Sequence, residues 1–137
     1  MAGIESVYYA DIRNVEHVIP YSDGVVVSLN SGHSWQEIEA DSTKAGSGPE
    51  EGHAYRHRVT MLYHGSQQEV VRTLDEMAQG RFLVKAVDYN GTEWLYGCED
   101  CPLRMSFESS NDGEPDGTTA YELSFEGVCP LPEMRMY

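Results

Sequence analysis

Positive charge is what this chain has least of. Lys and Arg total 9 against 23 Asp and Glu, a formal net charge of −14. A field of that sign repels phosphate and so excludes nonspecific binding to DNA, RNA or an anionic membrane. The expectation is therefore no specific nucleic-acid partner and no membrane. Long apolar runs are missing too: none approaches the ~20 residues that span a bilayer. Met1 to Ile12 holds no basic region followed by an apolar core, so no signal peptide is expected. Cysteine is scarce and its count of 3 is odd. This speaks against a complete intrachain disulfide set and for a reducing compartment. There is no G-x-S-x-G, Walker loop or Rossmann fingerprint, and no motif that would position a Ser/His/Asp triad. The chain is expected not to be an enzyme, with no catalytic, cofactor-binding or metal residue and no cofactor.

What is present is a strand-rich pattern around one helix. At 137 residues a single domain over residues 1–137 is expected, large enough to bury roughly two-thirds of its unfolded surface. Ser66 to Gly80 carries the helix, residues 66–79. Ser66 and Glu69 form a capping box. Val70, Val71, Leu74, Met77 and Ala78 make one apolar stripe, and Glu69, Arg72, Asp75 and Glu76 cover the opposite face. Gly80 is expected as the left-handed residue that ends it. Such a stripe must be buried, and only a sheet is on offer.

Ile4 to Ile12 reads as the first strand, which Asn14 to Pro20 extends or bends. After a Ser22-Asp23-Gly24 turn comes Val25 to Leu29, strongly β-branched. Asn30 to Gly32 turns again, and Ser34 to Glu39 reads as a further strand. Asp41 to Gly52 has no large apolar residue and four Gly or Pro. It reads as a mobile surface loop that would order against a neighbouring subunit. His53 to His64 is a long strand with bulky groups on both faces. Arg81 to Tyr89 and Thr92 to Gly97 flank Asn90-Gly91, which suits a two-residue type I′ hairpin. Leu103, Met105 and Phe107 alternate with polar residues. Asn111 to Gly117 is an acidic loop, and Thr118 to Gly127 is the last strand, with Tyr121, Leu123 and Phe125 inward. Pro130 and Pro132 end regular structure. The fold class is mainly β (α+β): an antiparallel β-sandwich or barrel with one packed helix.

The chemistry-bearing residues do not close into a site. Cys98 and Cys101 form a C-x-x-C, but structural zinc usually takes two close pairs, and Cys129 has no close partner in sequence. The pair reads as a tight acidic turn ended by Pro102. His33, His53, His57 and His64 suggest a cluster, yet no H-E-x-x-H accompanies them. Strand histidines in this pattern read as ordinary interface or surface residues. Asp112, Glu114 and Asp116 resemble the start of a calcium loop, but its twelfth position is Leu123, not a bidentate Glu. Asn90-Gly91-Thr92 matches a glycan acceptor but reads as a turn.

Three segments together resemble a known group. They are Asn90-Gly91-Thr92-Glu93-Trp94-Leu95-Tyr96-Gly97, Pro102-Leu103-Arg104-Met105-Ser106-Phe107 and Tyr121-Glu122-Leu123-Ser124-Phe125-Glu126-Gly127. A hairpin, a strand, a polar loop and a final strand in this order resemble structural proteins of phages and prophages. The helix placed before them is similar to the layout of tail-tube and tail or neck subunits. The likeness covers roughly residues 55–130; the Cys98/Cys101 pair is not part of it. It implies a non-enzymatic, ring- or tube-forming virion component, assembled in the host cytoplasm. Its partners would be copies of itself and other virion proteins. An acidic lining suits a tube that carries DNA. Two readings stand beside this one. They are a monomeric β-rich binding module for a cationic or peptide partner, and a small metal-dependent enzyme, for which no ligand set closes.

Overall fold

A computed structural model describes residues 3–38, 41–50, 52, 54–65, 74–110 and 119–136. Within these the chain is mainly β, with eleven strands and one short helical segment. The first strand, β1 (Ile4–Asp11), ends where the Asp11 carboxylate accepts from the Arg13 N–H at 2.9 Å and caps a 3-10 turn, Ile12–Asn14. That turn diverts the chain into a separate ribbon, β2 (Val15–Tyr21) with β3 (Gly24–Leu29). Asn14 to Pro20 thus leaves the sheet of β1 and does not extend it.

The remaining strands are β4 (Gln36–Ile38), β5 (Asp41–Glu50), β6 (Ala54–Gly65), β7 (Arg81–Asp88), β8 (Glu93–Tyr96), β9 (Leu103–Ser110), β10 (Thr119–Cys129) and β11 (Met134–Arg135). With β1 they form one nine-stranded sheet, and all its ladders are antiparallel. β7 pairs with β1 along one side, and with β8 and then β9 on the other, the β9 contact being only Arg81↔Arg104 and Phe82↔Leu103. β9 continues to β10, β6 and β5. β4, which pairs with β1, precedes β5 by two residues. The ladders therefore run round towards their start, as a sandwich or barrel requires.

The alternating residues of these strands meet inside. Val59 and Met61 of β6, Leu123 and Phe125 of β10, Met105 of β9, Val84 and Ala86 of β7, Tyr96 of β8 and Val7 of β1 are all buried in one cluster. Phe82 meets Phe125 and Tyr9 edge to face at 5.9 and 5.5 Å. Such pairs add about 0.5–1.5 kcal/mol each beyond area burial. Leu83 and Leu95 point the other way and pack with Val25 under the β2–β3 ribbon. β7 is thus covered on both faces, which explains its continuous Phe82-Leu83-Val84 run.

Four expectations are corrected. Asp41 to Gly52 is not a loop: ten of its residues are β5, hydrogen-bonded to β6 from Asp41↔Leu62 to Glu50↔Ala54 with one register shift. Its order comes from backbone pairing with a fixed neighbour, so large apolar side chains are not needed; among its described side chains only Ala45 reaches the core cluster. The helix is described over residues 74–78, where Leu74 is 4% exposed, Met77 and Ala78 pack on the core, and Asp75 and Glu76 are exposed, as the stripe demands. The capping box at Ser66 and Glu69 lies outside the described residues. Gly80 does not take a left-handed φ. The helix closes by Gln79 N–H→Glu76 O and Gly80 N–H→Met77 O bonds of 3.2 and 2.9 Å. A Cβ there would stand 3.0 Å from the Phe82 ring, so a larger residue requires that ring to shift.

The 90–91 hairpin exists, but its loop has three residues. Gly91 N–H bonds Asp88 O at 3.0 Å, Asp88 N–H bonds Thr92 O at 3.0 Å, and Gly91 takes φ 82. This is a type I turn closed by a left-handed glycine, the next most common hairpin closure. The Asp88 carboxylate decides it by accepting the N–H groups of Asn90 and Thr92 and the Trp94 indole N–H. Burial alone would raise its pKa; those three donors outweigh it and hold the carboxyl below the usual range. Finally, Pro130 and Pro132 are followed by a two-residue strand, β11, on β8.

Candidate functional site

The chain makes a second tight turn at the other end of β8. Gly97 takes φ 91, and a Cβ there would meet Leu103 Cγ at 3.1 Å and Leu83 Cδ2 at 3.2 Å. Immediately after it, Cys98 N–H bonds Cys101 O at 3.2 Å and Cys101 N–H bonds Cys98 O at 3.1 Å. Glu99 and Asp100 project from the turn, exposed. Cys129, which has no close partner in sequence, lies beside this pair in space: its Sγ–H donates to Cys101 O at 3.3 Å. The reason is register. Continuing the β9–β10 ladder three residues past Arg104↔Glu126 sets Cys101 opposite Cys129. Cys98 and Cys101 are half-buried, Cys129 is buried, and all three are free thiols.

The sulfurs are electrostatically unequal. The Cys129 thiol holds the Cys98 thiol down to about 6. The Cys101 side chain and the N–H groups of Cys101 and Asp100 help, against the opposing effect of burial. Burial, and then the Cys98 charge, push Cys101 up. The bond to Cys98, and then burial, push Cys129 far up. The arrangement thus favours deprotonation at Cys98 over the other two thiols.

His57 departs from the expected surface position, because it is 1% exposed. Its Nδ1 accepts the Gly97 N–H at 2.9 Å, and Nε2 stands 2.6 Å from Leu131 O, so Nε2 carries the proton and donates. Burial pushes its pKa below the usual imidazole value, outweighing the Leu131 bond and the Glu133 charge. A neutral ring with both nitrogens engaged ties β6 to the turn and to the tail segment after β10. The Tyr96 ring meets it edge to face at 5.9 Å, and the Tyr96 hydroxyl is buried with no hydrogen-bond partner among the described residues. Cys98, Cys129 and His57 line one cavity of about 200 Å³. His33 is exposed, His64 holds a strand position opposite Ala120, and His53 and the 112–116 acidic loop lie outside the described residues. Among the described residues no group of three or more His, Cys, Asp or Glu side chains is placed to hold a metal ion.

The outer face beside β5 is the other distinctive surface. Lys44, Arg56, Arg58 and Arg104 are exposed there, four of the chain's 9 cations. Three of them lie in the rows Gly46↔Arg58↔Glu126↔Arg104 and Gly48↔Arg56, and Lys44 lies opposite Thr60. Glu126 binds Arg56 and lies 3.9 Å from Arg58. β5 pairs with β6 on one side, and among the described residues no strand pairs with its other side. On its inner face the Ser47 hydroxyl donates to Glu133, anchoring the strand to the tail.

Comparison with known proteins finds no match: no protein-family model, no curated protein and no solved structure matches this chain. Sequence reasoning missed the thiol cluster, the His57 tie and the open strand. One signal for β5 was available. A twelve-residue strand with bulky groups on both faces, β6, needs a pairing partner on each side.

Proposed function

We propose that this chain is a non-enzymatic, self-assembling structural subunit, a ring- or tube-forming component of a phage or prophage tail or neck, and that its copies join along the free side of β5. One observation carries the reading. β5 is ten residues of strand paired on a single side among the described residues. A free row of N–H and C=O groups is a template for another chain. The strand is also bare on its outer face, where a Cβ at Gly46 or Gly48 would meet nothing within 4 Å. Lys44 and Pro49 break its uniformity and limit indiscriminate pairing.

Charge supports a contact between copies. At −14 the copies repel at long range, while Lys44, Arg56 and Arg58 beside the edge offer an acidic neighbour an attractive landing. Such a contact joins two different surfaces. Heterologous contacts close into rings or continue as filaments. The resemblance of residues 90–97, 102–107 and 121–127 to phage tail components points the same way. The same three cations disfavour capture of a cationic peptide at this edge.

The test is sedimentation velocity with electron microscopy over a concentration and salt series. The expected result is closed oligomers larger than a dimer that weaken as salt shortens the screening length. A monomer under every condition contradicts the proposal and leaves the peptide-binding module as the better reading. A dimer joined β5 to β5 contradicts the ring.

A further inference from the structure

We infer that Cys98 and Cys101 are a redox-active dithiol that closes to a disulfide by exchange with small-molecule disulfides, Cys98 attacking and Cys101 resolving. Backbone geometry is the first ground. The reciprocal bonds Cys98 N–H→Cys101 O and Cys101 N–H→Cys98 O make a narrow pair. Residues in such a pair sit with Cα atoms about 5.5 Å apart, inside the roughly 4.4–6.8 Å that a disulfide bridges. The side chains of such a directly opposed pair lie on one face of the turn. Closing the bond therefore needs side-chain rotation and little backbone movement.

Access and environment are the second ground. Cys98 and Cys101 are half-buried and so reachable, whereas Cys129 is buried. Cys98 lines the 200 Å³ cavity, whose other walls include Leu131 and Met134. That cavity is large enough for the thiol half of a small disulfide. Cys129 sits behind the pair with its Sγ–H on the Cys101 carbonyl, and its thiol also faces Cys98. It is a positioning residue. The thiolate is the attacking species, and a thiolate near ambient pH attacks best. The depressed titration of Cys98 fits that role, and the elevated one of Cys129 keeps it a thiol.

The Cys98 thiolate attacks one sulfur of RSSR, the S–S bond breaks, and RS⁻ leaves and takes a proton from solvent. This gives the mixed disulfide Cys98–S–S–R. Cys101 loses its proton to solvent and attacks the Cys98 sulfur, releasing a second RS⁻. The dithiol is oxidised by two electrons and RSSR is reduced to two RSH. The ring so closed spans the β8–β9 turn and leaves Cys129 free. The inference does not depend on the assembly proposal.

The experiment incubates reduced full-length chain with oxidised glutathione, then alkylates and maps peptides by mass. Two of the 3 thiols should disappear, the Cys98–Cys101 peptide should be lighter by two hydrogens, and Cys129 should be alkylated on unfolding. Cys101→Ser should stop at a glutathione adduct on Cys98. Cys129→Ala should still form the 98–101 bridge, and each variant's near-ultraviolet circular dichroism while reduced checks that it folds. Three thiols surviving in the folded parent chain, a bridge to Cys129, or stoichiometric zinc in protein purified without chelator would each overturn the inference.

Discussion

β5 and β6 are partners in one hairpin and are built in opposite ways. β6 places His57, Val59 and Met61 in the interior, each 1% exposed or less. Among the described side chains of β5 only Ala45 packs on the apolar core cluster, and two of the strand's positions are glycine. One strand is held by its side chains and the other by its neighbour's backbone. A strand held in the second way needs no apolar face, so its far side is free for another chain. An interior strand contributes stability, and a bare edge strand contributes a surface.

The sharpest break of this comparison is truncation on either side of the hairpin. Met61→Ala should cost about 2–5 kcal/mol. Ala45→Gly removes one methyl and adds backbone freedom, so it should cost only about 1 kcal/mol. Urea denaturation of both variants measures the difference. Equal costs would mean that β5 contributes to the core as β6 does.

His57 sharpens the comparison, because it is the one polar side chain that β6 buries among the described residues and both its nitrogens are used. His57→Ala leaves the Gly97 N–H and the Leu131 carbonyl without their partner. It should cost about 2–6 kcal/mol, at one to three per orphaned group. His57→Gln, which can donate and accept, should recover part of that. The pH dependence follows from its lowered folded pKa. Above the unfolded value near 6.5 the stabilisation is complete. As pH falls below it, the unfolded chain takes up a proton that the folded chain refuses, and stability declines until the folded pKa is reached. Chemical denaturation from pH 8 to pH 5 should show this slope in the parent chain and lose it in His57→Gln.

How far the sequence disclosed all this depends on what orders each segment. Strands that alternate, such as 103–107 and 121–125, declare themselves, since their own side chains make the core. The Leu74 stripe does likewise. β5 stayed hidden because its order belongs to β6. The turn at Asn90-Gly91 was legible as a hairpin but not in type, because the Asp88 carboxylate selects the longer loop. Cys129 stayed apart from Cys98 until the register of β9 on β10 was known.

Asp88 supplies a smaller test away from the hairpin. Its carboxylate gathers three donors, and its folded pKa lies below the unfolded value near 3.9. The stabilisation is present above that value and is lost as pH falls through the folded pKa. Asp88→Asn should lower the melting temperature at pH 7 and flatten the acid limb of a melting-temperature profile. An unchanged acid limb would show that the turn is set by Gly91 alone.

The most direct measurement is a proline scan of β5 from Lys44 to Gly48, read by sedimentation velocity and thermal melting together. Backbone N–H groups of an edge strand point alternately to the neighbour and away from it. Proline removes each in turn. The account predicts a period of two. Variants that lose an N–H facing β6 should melt earlier. Variants that lose an outward N–H should melt nearly as the parent chain does and yet fail to form oligomers. If the outward-facing variants assemble as well as the parent chain, β5 is a plain edge strand and the assembly surface lies elsewhere.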